Sequence, residues 1–407
     1  MAGWADVRIP YGAYWSTPFS RWQMSLSHLH SIRFAADTAK KVLAAKSVPV
    51  EAFDHAVLGL TVPQEKSFWG VPWMMSLIGT HAVSGPTVSQ ACATGARALA
   101  ISAAEVADGD AQASLVVTCD RTSNSPVMLH PDPRAPSGAP TVENWVLDNF
   151  RQDPNARCAM IDTAENCARD WQISTAEQHD LVALRYAQYR DALADDYAFQ
   201  RRYMPLPLSI PDQKFAKEVG TLATDEGIHP TTAEGLARLK PVVQGGTVTY
   251  GSQTHPADGN AGIVVTTAAR VAEFSLQPEI AITLRGFGQA RERIGYMPAA
   301  PVKAARRALE RAGVAIDRID AIKSHNPFIV NDIVFARETG VDPHRMNNFG
   351  CSLVFGHPQG PTGLRLVIEL IEELVMKGGG VGLFHGCAAG DTAMAVVIEV
   401  RDARQRS

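Results

Sequence analysis

The feature that most narrows what this chain can fold into is an internal repetition. Cys92-Ala93-Thr94-Gly95-Ala96-Arg97 opens a run of helical periodicity carrying Leu99, Ile101, Ala103, Ala104 and Val106. Asp108-Gly109-Asp110 breaks that run, and residues 113–118 read as a buried strand. Far downstream the same order returns. Gly360-Pro361-Thr362-Gly363-Leu364-Arg365 opens a helix with Leu366, Val367, Ile368, Leu370, Ile371, Leu374 and Val375, Gly378-Gly379-Gly380 breaks it, and residues 381–384 resume as a strand. Two helix-then-strand units, each with Thr-Gly-x-Arg at the helix start, imply a duplicated α/β half.

The stretch between the halves has another texture. Residues 126–245 are polar and loop-rich, with helical patterns around 163–171 and 175–193 and proline clusters at 131–140 and 205–211. They read as an insertion covering one face of the core. Strand patterns return at 262–267 and begin again at 279–284, so the expected units are 1–125 completed by 246–274, the insertion 126–245, and a second half over 275–407. The chain's 46% hydrophobic content is ample for a sizeable core. Its 38 basic and 42 acidic residues, net −4, leave no electrostatic footprint for nucleic acid or an anionic membrane, so a small ligand is expected. No apolar run of roughly 18 residues appears, nor a charged segment leading into an apolar one at the N-terminus. Six cysteines without a CxxC pair point to a reduced, cytoplasmic protein.

Chemistry gathers at the junctions. Cys92 sits where a β-like run meets a helix start, a place whose free N–H groups favour a thiolate; a buried structural cysteine is the competing reading. Gly356-His357-Pro358-Gln359-Gly360 fixes a histidine on a tight turn just before the second repeat's helix, suited to act as a base toward a thiol. Cys387 follows a buried-type strand in a loop of small residues whose N–H groups can face an oxyanion. His325 closes a likely strand at 319–323, on the edge where open α/β sheets place their sites.

These segments, in order, resemble the thiolase family over nearly the whole chain. Arg8-Ile9-Pro10-Tyr11-Gly12 is similar to the family's Arg-x-Pro-Phe-Gly, and Val117-Thr118-Cys119-Asp120-Arg121 with the following residues to Pro126 is similar to the exit from the nucleophile half. Thr163-Ala164-Glu165-Asn166 matches the start of the loop domain, and Gly246-Thr247-Val248-Thr249 through Asp258-Gly259 the way out of it. Gly356-His357-Pro358 with Thr362-Gly363 corresponds to the Gly-His-Pro motif, and Cys387-Ala388-Ala389-Gly390 to the Cys-x-Gly-Gly loop.

The resemblance implies an α/β thiolase fold: two βαβαβαββ halves forming a five-layer αβαβα core with an inserted loop domain. It implies Cys92 as the acylated nucleophile, His357 as its base, Cys387 as acid/base, and the backbone N–H groups of Cys92 and Ala389 as oxyanion donors. His357 and His325 would hold the thioester oxygen, and Thr254, His255, Asn326 and Phe328 would line the substrate pocket. Coenzyme A would be a co-substrate held by the insertion, with no permanent cofactor and no metal. A homodimer or dimer of dimers is implied, and the His-first motif is similar to that of family members that work with a small zinc-ribbon/OB-fold subunit.

Three departures stand out. Ordinary members carry Asn-Glu-Ala-Phe where this chain has His325-Asn326-Pro327-Phe328, alanines replace glycines at Ala388 and Ala389, and His255 stands where glycine is usual. With Phe68, Trp69 and Trp73 near the expected entrance, they point to a bulky, branched or aromatic acyl-CoA, of which benzoylsuccinyl-CoA is one example. A degradative thiolase is the leading expectation. A ketosynthase-like enzyme using Cys92, His325 and His357, and a non-catalytic acyl-CoA-binding subunit, are the alternatives.

Overall fold

The computed structural model describes Trp4 and residues 6–406; residues 1–3 and Ala5, at the start of the first expected half, and Ser407 lie outside the described residues. Nine strands run side by side in the order Ala321–His325, Gly379–Ala388, Thr392–Asp402, Ile280–Arg291, Val7–Pro10, Ala257–Thr267, Ala113–Arg121, His55–Gly59 and Thr87–Val88, with two short strands added against Ala257–Thr267. The sheet is mixed. Ala321–His325 lies parallel to Gly379–Ala388 and His55–Gly59 parallel to Ala113–Arg121, while the central pairings are antiparallel.

Strand alternation explains the layering. In Thr392–Asp402, Met394, Val396, Ile398 and Val400 enter one hydrophobic cluster while Ala393, Ala395 and Val397 enter another. In Ala113–Arg121, Val116 belongs to the same central cluster and Leu115, Val117 and Cys119 to a third. A sheet apolar on both faces must be covered on both. Helices Ser31–Ala45 and Gly70–Ile78 cover the first half outside, Ala300–Ala312 covers the second, and Thr94–Asp108 with Gly360–Met376 fill the middle, giving the expected five-layer α/β core. Small residues let the layers close: a Cβ on Gly288 would meet the Ala304 carbonyl oxygen at 1.9 Å.

The two middle helices are the repeated units of the sequence, and the motif glycines mark where they cross. A Cβ on Gly95 would lie 2.6 Å from the Leu364 nitrogen and 2.7 Å from the Gly360 carbonyl oxygen. Gly360–Met376 is buried along its length except at Met376, although it carries Arg365, Glu369, Glu372 and Glu373. Burying such charges is tolerable only when each is paired. Arg365 donates to both Asp225 oxygens at 2.6 and 2.8 Å and to Glu369 at 2.9 Å; Arg202 donates to Glu372 at 2.7 Å. Asp225 and Arg202 belong to the stretch between the halves, which is thereby pinned to the middle layer.

That stretch contains helices Met160–Asp170 and Thr175–Arg201, the latter leaving helical geometry at Ala194–Tyr197, just past the expected end at 193. It also holds the hairpins Val127–His130 with Thr141–Asn144 and Leu208–Pro211 with Glu218–Leu222. Two of the shifted boundaries bear on the site. The strand expected at 319–323 is Ala321–His325, so His325 is inside it, and Gly379–Ala388 takes in two of the supposed breaker glycines and Cys387. Antiparallel pairing along Thr392–Asp402 extends the ladder across those glycines, outweighing their poor strand propensity.

Gly95→Ala is expected to destabilise the fold by about 2–4 kcal/mol, because its methyl would press on backbone that cannot yield. Gly220→Ala, in open surroundings, should stay within about 0.5 kcal/mol. Urea unfolding of both variants checks the contrast.

Candidate active site

Cys92 stands on a tight elbow leading into Thr94–Asp108. Ala91 takes φ 45°, a left-handed conformation that costs a non-glycine residue, and Thr94 holds it there: its Oγ1 accepts from the Gln90 N–H at 2.8 Å and donates to the Ala91 carbonyl at 2.7 Å. The backbone N–H groups of Cys92 and Ala389 both point at the sulfur, which favours a thiolate. Burial wins nevertheless, and the thiol is pushed up to about 12. A helix terminus is worth about 0.3–1 kcal/mol, whereas drying an ion costs several. The thiolate expected from the helix start is therefore not the resting state.

His357 arrives from the second repeat. Its backbone N–H donates to the His255 carbonyl at 2.9 Å, its Nδ1 pairs with Thr362 Oγ1 at 2.6 Å, and its Nε2 is buried without a partner. Burial pulls it down to about 3, opposed by the Gln359 amide, so the ring is neutral. His325 lies behind it, the ring centroids 4.1 Å apart, with Nδ1 on Ser352 Oγ at 2.9 Å and Nε2 again unpartnered. Burial holds it well below the usual histidine range, helped by the charges that His357 and His385 would carry. Cys387 is buried at 0% exposure, accepts from Asn331 Nδ2 at 3.2 Å, and is raised first by burial and then by the neighbouring Cys92 sulfur.

A cavity of about 990 Å³ opens over this group, with Cys92, His357 and Ala389 on its wall. Thr254, His255 and Phe328 line it as expected. Asn326 does not. It is fully buried behind His325, where Nδ2 donates to Asp332 at 2.8 Å and Oδ1 accepts from the Leu353 N–H at 3.2 Å, so it braces the strand end instead of lining the pocket. Phe68, Trp69 and Trp73 are also absent from the wall. Phe68 is 90% exposed on the turn Ser67–Trp69, beside the edge of the sheet, and Trp73 packs on His30. Besides Phe328, the aromatic rings of the wall come from the insertion and its flank: Trp145, Phe150, Tyr186 and Tyr250.

Cys92 Sγ and one ring nitrogen of each of His325 and His357 lie within 4.8 Å of one another, the one such donor group that could hold a metal ion among the described residues. The histidines that look scattered in sequence are thus gathered by folding. A soft cation fits this Cys-His-His set, and such a cation would occupy the atoms that a nucleophile and its base need free.

Four positions have contacts at the site for which the sequence pointed to no role. Thr362 and Ser352 orient the two imidazoles, Asn331 faces Cys387, and Gln359 Oε1 accepts from the Cys92 thiol at 3.4 Å. Thr362 carried a signal, being the counterpart of Thr94 in the repeated Thr-Gly-x-Arg. Asn331 and Ser352 carried none, since only the fold brings them to the site.

The family described as "Thiolase, N-terminal domain" matches residues 13–269, and "Thiolase, C-terminal domain" matches 278–400. The chain is 29% identical to a beta-ketoadipyl-CoA thiolase of Pseudomonas aeruginosa, over 94% of this chain and 96% of the relative. It is 28% identical to an acetyl-CoA acetyltransferase of Saccharomyces pastorianus, over 94% and 96%. In fold it is similar to human mitochondrial 3-ketoacyl-CoA thiolase in complex with CoA, with TM-score 0.86 at 23% identity, covering 97% of this chain and 98% of that one.

Because thiol and imidazole rest neutral, alkylation of Cys92 by iodoacetamide should rise roughly tenfold per pH unit between about pH 6 and about pH 9 without levelling. Peptide mass spectrometry of Cys92 reads this. A plateau starting near pH 6 would instead mark a preformed thiolate–imidazolium pair.

Proposed function

The chain belongs to the thiolase family of acyltransferases, and from that premise we propose that Cys92 carries the acyl group in CoA-dependent cleavage of a 3-oxoacyl-CoA. The observation that carries the reading is the convergence of a thiol, an unpartnered imidazole nitrogen of His357 and two backbone N–H groups at one cavity, with the second unpartnered imidazole, His325, packed 4.1 Å behind His357.

In this scheme His357 Nε2 takes the Cys92 proton as the sulfur attacks the 3-keto carbon. The oxygen's developing charge is met by the N–H groups of Cys92 and Ala389. The C2–C3 bond breaks, its electron pair forms the thioester enolate held by His325 and His357, and Cys387 delivers a proton to C2. CoA then gives its thiol proton to the Cys387 thiolate and attacks the S-acyl group, and Cys92 leaves and recovers its proton from His357. Protons balance over the cycle. The same steps reversed are a condensation, and a degradative role is the favoured direction.

For substrate class we favour a bulky, branched or aromatic acyl group such as that of benzoylsuccinyl-CoA. The support is the aromatic wall from Trp145, Phe150, Tyr186 and Phe328, narrowed by Ala389 and His255. Residues 126–245 would hold CoA between the two halves. Thr87–Val88 leaves a sheet edge open next to exposed Phe68 and Trp69, which suits a second copy of the chain, as a homodimer or dimer of dimers. A small zinc-ribbon/OB-fold subunit belongs to the same proposal, and full activity of the chain alone would contradict it. No described helix is long and apolar enough to cross a membrane, and the six cysteines are free; we place the protein in the cytoplasm.

A panel of 3-oxoacyl-CoA thioesters should leave acyl mass on Cys92, lost in Cys92→Ala. Cys387→Ala should slow solvent exchange at C2 by roughly 10²-fold or more; a ketosynthase-like enzyme would barely respond. No adduct and no thiolysis with any member would overturn the proposal. Light scattering should give a mass of about two or four chains.

A further inference from the structure

Gln359 is the polar side chain at the nucleophile to which the acyl-transfer scheme gives no work. It is 6% exposed and lines the cavity beside Cys92, His357 and Ala389. Its Oε1 accepts from the resting thiol, while its Nε2 is buried with no partner. A buried amide donor left unmatched is destabilising, because it has given up water without gaining a partner.

The backbone beneath it is also costly. Gln359 takes φ 64° and ψ −104°, which lies outside the regions open to a side-chain-bearing residue and is therefore strained. Two contacts hold it there: the Gly360 N–H donates to Asp120 Oδ2 at 2.9 Å and the Thr362 N–H to the Gln359 carbonyl at 3.2 Å. Glycine would make the same turn more cheaply. What glutamine adds is a carboxamide at the sulfur, with an unused donor.

Acylation changes what that carboxamide meets. A free thiol offers Oε1 a proton; an S-acyl cysteine offers none. Oε1 then has only the His357 ring to face, and Nε2 stays unmatched unless the acyl group supplies an acceptor. Resting on the proposed acyl transfer to Cys92, we propose that Gln359 Nε2 donates to an oxygen on the first carbons of the acyl chain, selecting acyl groups that carry a carboxylate, keto or hydroxyl oxygen there.

The test uses matched CoA thioesters of equal length whose transferred acyl group does or does not bear such an oxygen, with charged and neutral oxygens as separate arms. In Gln359→Leu the ratio of kcat/KM, oxygen-bearing over plain, should fall roughly 10–100-fold, since a site built to donate a hydrogen bond discriminates by its unmatched donor. Gln359→Glu keeps an acceptor for the thiol but removes the donor, and should lose the preference too, most of all in the charged arm. Calorimetric titration of Cys92→Ala and Cys92→Ala/Gln359→Leu reads the preference without turnover. An unchanged ratio, or equal loss on both members, assigns Gln359 to the thiol or the oxyanion and overturns the inference. Binding by Cys92→Ala without discrimination overturns this inference alone; no binding of any CoA thioester removes the proposed function and this inference with it.

Discussion

The structure hangs on the close crossing of two helix N-termini. Gly95 has no side chain, so the helix Thr94–Asp108 can press its first turn onto the backbone of Gly360 and Leu364. Each helix is preceded by a strained turn, one presenting Cys92 and the other His357. Cys92 and His357, more than 260 residues apart in sequence, therefore meet because their helices touch. The surrounding strands add the rest: Ala321–His325 ends at one imidazole, and its parallel neighbour Gly379–Ala388 ends near the second thiol and the Ala389 N–H.

The price of this placement is dryness, and dryness sets the chemistry. Burial keeps Cys92 near 12 and His357 near 3, so neither carries charge at rest. In such surroundings the fixed donors at Cys92 and Ala389 act far more strongly on a developing charge than they would in water. Hydroxyls, which can either give or take a proton, sit on both Nδ1 atoms, leaving each Nε2 free to accept or donate as the reaction demands. Charge is admitted where it is paired, as along Gly360–Met376, where Arg365 and three glutamates all find partners.

Much of this was legible in the chain. The repeated Thr-Gly-x-Arg revealed the duplicated halves, and the turn residues around Cys92 and His357 marked both functional loops, because local turn chemistry is written in glycine, proline and threonine. What escaped reading depended on packing. Asn326 follows His325 just past the strand end and shares its Ser352 hydroxyl, yet its amide is taken up by Asp332 and the Leu353 N–H and does not reach the cavity. Cys387 looked like a loop residue because small residues surround it, Gly386 before and Ala388, Ala389 and Gly390 after, whereas pairing with Thr392–Asp402 carries the strand through Ala388. Phe68 and Trp69 looked like an entrance; their exposure marks the sheet edge instead. Gln359 was visible in its motif, but its meaning lies in an orphaned amide that only the fold exposes.

The proposed acyl transfer requires one cavity to align Cys92, His357 and the N–H groups of Cys92 and Ala389 around a single acyl carbonyl. The most direct measurement is a crystal structure of the protein trapped during turnover with a 3-oxoacyl-CoA. The account predicts an acyl group on Cys92 Sγ, its carbonyl oxygen between the two N–H groups and its chain beside Gln359 and Phe328. An acyl group on another cysteine, or a carbonyl turned away from the Cys92 and Ala389 backbone, would contradict it.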